Sequence, residues 1–310
     1  MKKMKLSKSK VLLSFFIIAG VNCSIHSSLP VFAAKNPQNL EKADKLFAEH
    51  KYAEAKTAYS EYIKDNPKDY RGFFGRGKTW IKLFNRAPAF YDLNQAVSLE
   101  TKDAELYRTR GKLQLERGEF AAALKDLNLA LSKGAQDKLD IFEDRAEAYR
   151  LLGNQKQQIE QLDEILAKKQ TPALYRKRAD SYYALRNYEK AIDDYSKCLD
   201  ADPESYKLRL RRGYCYEKIK DWQHAIDDYT KLIDKDQKDY IVLERRAVVY
   251  YESGDMKKAL DDISKAIYHF RGYSAKSLYL LRAKIYQKTG QGANAAKDFA
   301  KVNAGRRKKK

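Results

Sequence analysis

An arginine followed by glycine or alanine recurs seven times, and this regularity constrains the fold more than any other feature of the chain. Successive copies are separated by 34, 35, 33, 34, 34 and 36 residues. The arginines are Arg76, Arg110, Arg145, Arg178, Arg212, Arg246 and Arg282. A period of about 34 residues is typical of stacked helical hairpins, each too small to bury its own apolar face. The sequence therefore predicts an all-α solenoid.

The second half of each repeat follows the same period. Thirteen residues after the arginine the chain has alanine, except for Gln158 in the fourth unit. Sixteen residues after the arginine it has aspartate, except for Gln161 in the same unit. The aspartates are Asp92, Asp126, Asp194, Asp228, Asp262 and Asp298. Each repeat is therefore predicted to be two amphipathic helices joined by a short turn.

Segments 187–195 and 254–262 closely resemble the tetratricopeptide repeat, and the resemblance recurs in phase from about residue 36 to residue 304. It implies about eight hairpins that stack into a right-handed α-solenoid with a concave groove. It also implies a scaffold for other proteins. The predicted units are 36–69, 70–103, 104–137, 139–171, 172–205, 206–239, 240–273 and 276–304.

The arginine and aspartate series predicts a structural ladder. Residues sixteen apart across a helical hairpin should stand at similar height on neighbouring helices. A guanidinium group can pair with a carboxylate through two parallel hydrogen bonds. We therefore predict ion pairs that link neighbouring helices, such as Arg212 with either Asp228 of its own unit or Asp194 of the preceding unit, with Arg145 left out because its unit has Gln161. The alternative is that the arginines contact a ligand.

By analogy with tetratricopeptide-repeat proteins, the first helix of each unit should line the groove. The fourth unit would present an acidic face made of Asp140, Glu143, Asp144 and Glu147. The neighbouring units would present Arg108, Lys112, Arg176, Lys177, Lys207, Arg211, Tyr183 and Tyr214. One hypothesis is a groove that binds an extended, charge-patterned segment of a partner protein. The alternative is a solvated charged face.

Some tetratricopeptide-repeat proteins grip a C-terminal carboxylate with a clamp of lysine, asparagine and arginine. Lys207 and Arg211 match its last two positions in spacing. The preceding units depart from it, because Glu143, Glu147 and Lys177 stand where the clamp needs other side chains. The sequence therefore argues against a clamp of this kind.

The first 33 residues predict a secretory signal peptide. A lysine-rich start precedes an apolar run at residues 11–21, and a Val-x-Ala site ends at Ala33. The run is shorter than the roughly 20 residues that span a bilayer. An uncleaved anchor and a lipoprotein attached through Cys23 are the alternatives, and Asn22 is not the small residue expected before a lipidated cysteine. We therefore expect a periplasmic, cell-envelope or secreted protein.

The net charge is +20, and the tail at residues 305–310 supplies five of the positive charges. The tail is either a solvated end or a contact for an anionic surface. A second functional hypothesis is therefore a basic adaptor for an anionic polymer or membrane surface. Nucleic-acid binding is disfavoured because much of the arginine should be paired internally. Self-association through the terminal helix is a third alternative.

Little in the sequence suggests chemistry. His50, His224 and His269 fall in unrelated units without the spacing of metal ligands, and no glycine-rich phosphate loop occurs. We therefore predict no enzymatic activity, no cofactor and no metal. Cys198 and Cys215 lie in consecutive helices and are either a disulfide or two small buried residues.

Overall fold

Sixteen α-helices account for the regular structure of the described residues in the computed structural model, which are 35–99, 102–272 and 275–304. The predicted signal peptide and basic tail lie outside these ranges. The helices are α1 (Pro37–Ala48), α2 (Tyr52–Asp65), α3 (Tyr70–Lys82), α4 (Arg86–Ser98), α5 (Ala104–Glu116), α6 (Phe120–Ser132), α7 (Lys138–Leu151), α8 (Gln155–Leu166), α9 (Pro172–Ala184), α10 (Tyr188–Ala201), α11 (Tyr206–Lys218), α12 (Trp222–Lys235), α13 (Tyr240–Ser253), α14 (Met256–His269), α15 (Lys276–Lys288) and α16 (Gly292–Ala304).

The predicted all-α solenoid of consecutive helical hairpins is confirmed. Each odd-numbered helix packs against the even-numbered helix that follows it, and each even-numbered helix packs against the next hairpin. Contacts between helices of different hairpins also join α1 to α3, α5 to α7, α11 to α13 and α13 to α15. In a curved stack the helices on the inner side approach one another most closely. The odd-numbered helices therefore line the inner, concave side.

Small residues allow the two helices of a hairpin to approach closely. The alanines Ala89, Ala123 and Ala225 of the second helices are fully buried. At Gly111, which follows a repeat arginine, a Cβ atom would lie 3.1 Å from the Leu127 side chain and 3.3 Å from the Ala123 carbonyl oxygen. The recurring small residues are thus a packing requirement.

The helix ends follow from local hydrogen bonding. Asp69, Asp103 and Asp239 each precede a first helix and accept hydrogen bonds from its first free backbone N–H groups. Most turns inside a hairpin need one residue with positive φ. Glycine takes that position at Gly118, with φ 79°, whereas Phe84 takes it in the second unit, with φ 56°. These turns fix where each first helix stops.

Candidate partner-binding groove

Six repeat arginines form bidentate ion pairs with the aspartate sixteen residues later. Each guanidinium donates through Nε and Nη2 to the two carboxylate oxygens, with N–O distances of 2.6–2.9 Å. The aspartate side chains are only 2–4% exposed. The pairs are Arg76–Asp92, Arg110–Asp126, Arg178–Asp194, Arg212–Asp228, Arg246–Asp262 and Arg282–Asp298. These arginines are occupied inside the fold.

Several of these arginines also contact the preceding hairpin, where Arg212 donates to Ser196 rather than to Asp194, the alternative partner that the sequence offered. The Nη1 atom donates over 2.9–3.1 Å to a polar side chain sixteen residues earlier. These acceptors are Ser60, Asn94, Ser196 and Thr230. Arg178 makes the equivalent bond to Asp163, fifteen residues earlier, at 2.6 Å. The sequence signal for these bonds is a polar residue fifteen or sixteen positions before the arginine. Each arginine that forms such a bond connects three helices.

The fourth unit lacks this arrangement. Arg145 has Leu129 sixteen residues before it and Gln161 sixteen residues after it. The Nε atom of Arg145 and the Oε1 atom of Gln161 are buried without a hydrogen-bond partner. Gln158, which replaces the usual alanine, instead accepts a hydrogen bond from Ser181 at 3.0 Å. The ladder is therefore interrupted at α7 and α8.

Replacing Gln161 with aspartate is expected to restore the missing ion pair. The new carboxylate would take the position that aspartate holds in the other units, and it would satisfy the buried Arg145 Nε atom. Because hydrogen bonds to charged groups contribute about 1.5–3 kcal/mol, we expect the free energy of unfolding to rise by about 1–3 kcal/mol. Urea unfolding followed by circular dichroism measures it. The same change at exposed Gln157 is the control, and an equal rise in both variants would contradict this explanation.

The predicted acidic face of α7 is partly neutralised inside the protein. Arg108 of α5 contacts Asp140 at 2.6 Å, and it also contacts Asp137 and Glu105. Arg150 contacts Glu147 at 2.6 Å. Arg108 and Asp140, which the sequence analysis placed in adjacent subsites, are therefore partners of each other. Glu147 is paired with a neighbour on its own helix.

Two acidic residues of α7 are left without an ion pair within the described ranges. Glu143 is exposed, and Asp144 is half-buried. Burial raises the pKa of the Asp144 carboxyl above its usual value, and nearby Lys112 and Arg108 offset this only in part. Glu143 and Asp144 are the members of the predicted acidic face that remain available to a partner.

A cleft of about 540 Å³ lies between α9, α10 and α11, and we call it the central cleft. Its lining includes Arg176, Asp180, Lys207 and Arg211, with Cys198 and Leu208 among its apolar residues. The structure thus brings together three of the basic residues that the sequence analysis selected. Lys177 does not line the cleft and instead lies near Glu147, whose pKa it helps to lower after the larger effect of Arg150.

Asp180 and its partners fix one side of the central cleft. The Tyr195 hydroxyl donates to Asp180 at 2.7 Å, and Arg211 lies 3.5 Å from the same carboxylate. Arg176 and Lys207 are exposed and form no ion pair within the described ranges. The cleft consequently holds two cations without an ion pair, Arg211 in a half-exposed pair with Asp180, and the exposed carboxylate of Asp202.

An aromatic cluster lies beside Arg211, one of the residues that line the central cleft. The ring centroids of Tyr183 and Tyr214 are 5.6 Å apart, and Tyr188 lies 6.1 Å from the first and 6.5 Å from the second. Arg211 lies over the Tyr183 ring at 5.4 Å, and Arg245 lies over the Tyr214 ring at 4.9 Å. Tyr188 was missed because it begins the second helix of its unit, whereas the sequence analysis considered first helices only.

The two described cysteines are free and buried. The Cys198 thiol lines the central cleft and donates to the Pro172 carbonyl oxygen at 3.2 Å. Burial raises the pKa of Cys198 to about 11 and that of Cys215 to about 12. A thiol with a raised pKa is a poor nucleophile at neutral pH. Both cysteines are packing residues.

The described residues contain no candidate metal centre and no candidate membrane-spanning helix. Over residues 35–99, 102–272 and 275–304, no three acidic, histidine or cysteine side chains are grouped so that they could hold a metal ion. None of the helices in those ranges combines the length and the apolar content that crossing a bilayer requires.

Residues 176–240 match the tetratricopeptide repeat family. This segment carries the similarity to that family. The matched segment contains Arg176, Lys207 and Arg211 of the central cleft. The tetratricopeptide-type fold extends well beyond it. The C-terminal part of a tetratricopeptide repeat protein from Cytophaga hutchinsonii superposes with a TM-score of 0.54 and 20% identity, covering 77% of this chain and 98% of that one.

Parts of this chain are similar to curated proteins, one of which is a co-chaperone. Hsp70-Hsp90 organizing protein 3 of Arabidopsis thaliana is 32% identical over 85 residues, which are 27% of this chain and 15% of that protein. A tetratricopeptide repeat and J domain-containing co-chaperone of Cryptococcus neoformans var. grubii is 22% identical over 178 residues, which are 57% of this chain and 30% of that protein. The similarity thus covers a minor part of either relative.

Proposed function

We propose that this chain is an exported, non-enzymatic scaffold whose concave groove binds an extended acidic segment of a partner protein. The central cleft carries this proposal, because Arg176 and Lys207 are exposed there without an ion pair in the described part of the chain. Carboxylates on a partner would supply the missing charge through charge-assisted hydrogen bonds. The export part of the proposal is based on residues 1–33, which lie outside the described ranges.

The contrast between the groove and the ladder supports this assignment. The ladder arginines donate their hydrogen bonds to buried aspartates, as Arg212 does to Asp228. The cleft cations stand on the concave face of α9 and α11, beside an aromatic cluster that offers apolar contact area. Aromatic side chains and unpaired arginine are typical of protein interfaces. Exposed Glu143 would contact a basic residue of the same partner segment.

Reversing the two free charges tests the proposal. The chain from residue 34 to 310 is immobilised and exposed to an envelope and secreted extract, and bound proteins are eluted by rising salt and quantified by mass spectrometry. We expect the variant with Arg176→Glu and Lys207→Glu to retain at least tenfold less of its specific partner. Neither substitution removes an ion pair in the described ranges, so the fold should persist.

The matched control is the variant with Lys125→Glu and Lys231→Glu, which changes the net charge equally on exposed positions of second helices. It should bind as the unmodified chain does. If both variants lose binding equally and all bound material leaves at moderate salt, the protein is an adaptor for anionic surfaces, because such binding depends on counterion release. If neither variant changes retention, the central cleft is not the binding site.

A further inference from the structure

A second cleft lies near the N-terminal end of the groove, between α1, α3 and α5, and we call it the N-terminal cleft. Its volume is about 250 Å³. That is less than the roughly 300–1,000 Å³ of typical small-molecule sites. The cleft is open on the concave side, so its size fits one large side chain of a peptide better than a whole small ligand.

The floor of the N-terminal cleft is apolar. It is formed by Phe47 of α1, Ile81 of α3 and Leu113 of α5. Leu113 is only 2% exposed, whereas Phe47 and Ile81 are half-buried and keep part of their surface accessible. Covering such surface with another apolar group is favourable, because it removes apolar area from water. The floor can therefore bind an apolar side chain of a ligand.

Lysines surround this floor. Lys78, Lys82 and Lys112 line the cleft, and none of them forms an ion pair in the described part of the chain. The Lys78 ammonium lies over the rings of Phe47 and Phe74, at 5.5 and 4.5 Å from their centroids. Cation–π contacts of this kind hold a charge at the edge of an apolar surface. The positive charge is thus fixed beside the apolar floor.

The acidic residues of the N-terminal cleft do not neutralise these lysines. Glu105 lies 3.2 Å from Arg108, and Glu116 lies 2.8 Å from Arg86, which is outside the lining. Both carboxylates are therefore occupied by arginines. Lys112 also lies near the Asp144 carboxylate of α7, but the cleft lining still has more cations than carboxylates, and this surplus favours carboxylates from a ligand.

We propose that the N-terminal cleft is a second, separable site for an internal acidic peptide segment, which inserts one leucine or phenylalanine onto Phe47, Ile81 and Leu113. The three lysines bind carboxylates on either side of that anchor residue. This inference depends on the proposed function, since it assumes that the groove binds protein segments. It differs from the central cleft in requiring an apolar anchor, whereas the central cleft is assigned to carboxylates.

Peptide binding to the chain from residue 34 to 310 tests the inference by isothermal titration calorimetry at low salt. The probe is a capped peptide of one leucine with three aspartates on each side, and the comparison probe has serine in place of leucine. We expect the leucine probe to bind at least tenfold more tightly than the serine probe. The variant with Lys82→Glu and Lys112→Glu should lose at least tenfold in affinity for the leucine probe.

Two matched variants separate this inference from the proposed function. The variant with Arg176→Glu and Lys207→Glu, and the second-helix control with Lys125→Glu and Lys231→Glu, should each bind the leucine probe through an unchanged N-terminal cleft. Equal affinity for the two probes would overturn the apolar anchor. Loss of binding only in the central-cleft variant would overturn the N-terminal site and leave the proposed function standing. The absence of any binding would overturn the inference. Dodecanoate, an apolar chain with one carboxylate, is titrated as a third probe. If dodecanoate binds more tightly than the leucine probe, the assignment of the cleft to a peptide is overturned.

Discussion

Replacing Asp228 with alanine is expected to lower the free energy of unfolding by about 3–5 kcal/mol, because removing one partner of a buried ion pair leaves the other charge uncompensated. The Asp228 side chain is 4% exposed. It accepts bidentate hydrogen bonds from Arg212 at 2.8 and 2.9 Å, and a further bond from buried Arg209 at 3.4 Å. The alanine variant would leave two arginines facing each other without a carboxylate. Urea unfolding followed by helical circular dichroism measures the loss.

The neighbouring Asp227 provides the control for this experiment. It is exposed, and among the described residues its carboxylate accepts a hydrogen bond only from the Gln223 side chain, at 2.9 Å. Its replacement by alanine should change the free energy of unfolding by no more than about 0.5 kcal/mol, as is usual for surface positions. If the two variants unfold at the same urea concentration, the Arg212–Asp228 pair does not stabilise the fold, and the expectation drawn from its burial and geometry is wrong.

Replacing Gly75 with alanine is expected to destabilise the protein by about 1–3 kcal/mol, the usual cost of overpacking a core. In an exposed helix position the same change would stabilise by about 1 kcal/mol. Here a Cβ atom would lie 2.2 Å from Cε1 of Tyr59, which is far inside van der Waals contact. The ring has little freedom to move, because Tyr59 is 1% exposed and its hydroxyl donates to Asp44 at 2.5 Å.

Gly292 offers the opposite case within the same fold. It lies in α16, and no atom is found within 4 Å of the position that a Cβ atom would take. Its replacement by alanine should leave stability unchanged or raise it by up to about 1 kcal/mol. The difference in sign between the two substitutions is measured by comparing their thermal unfolding midpoints. A stabilised Gly75→Ala variant would show that α2 can shift away from α3 at little cost.

The fold could be predicted from sequence because its signal is repeated. A period of about 34 residues sets the hairpin, and the sixteen-residue spacing within it makes Asp228 one of two candidate partners for Arg212, the one that the structure shows. Both relations are local to one hairpin, so they require no knowledge of how the hairpins stack. The fourth unit was also marked in the sequence, since Gln158 and Gln161 stand where other units have alanine and aspartate.

The groove was predictable only in part, because it depends on contacts between hairpins. The sequence placed Arg108 and Asp140 in adjacent units, but their 2.6 Å contact depends on the rotation of one hairpin against the next. The grouping of Arg176, Lys207 and Arg211 in one cleft has the same origin. The N-terminal cleft was missed since its Phe47 comes from the degenerate first unit, which lacks the repeat arginine that sets the register.

The interrupted ladder gives the array a mechanical weak point. Elsewhere an arginine such as Arg246 binds its own hairpin and the one before it, whereas Arg145 has neither bond through its Nε atom nor a polar residue at the preceding position. Pulled from its two ends, the chain should yield at α7 and α8 before the second, third, fifth, sixth and seventh hairpins, whose arginines bind in both directions. A partner segment lying along the groove would bridge the same point, so the bound complex would resist tension that the free chain does not.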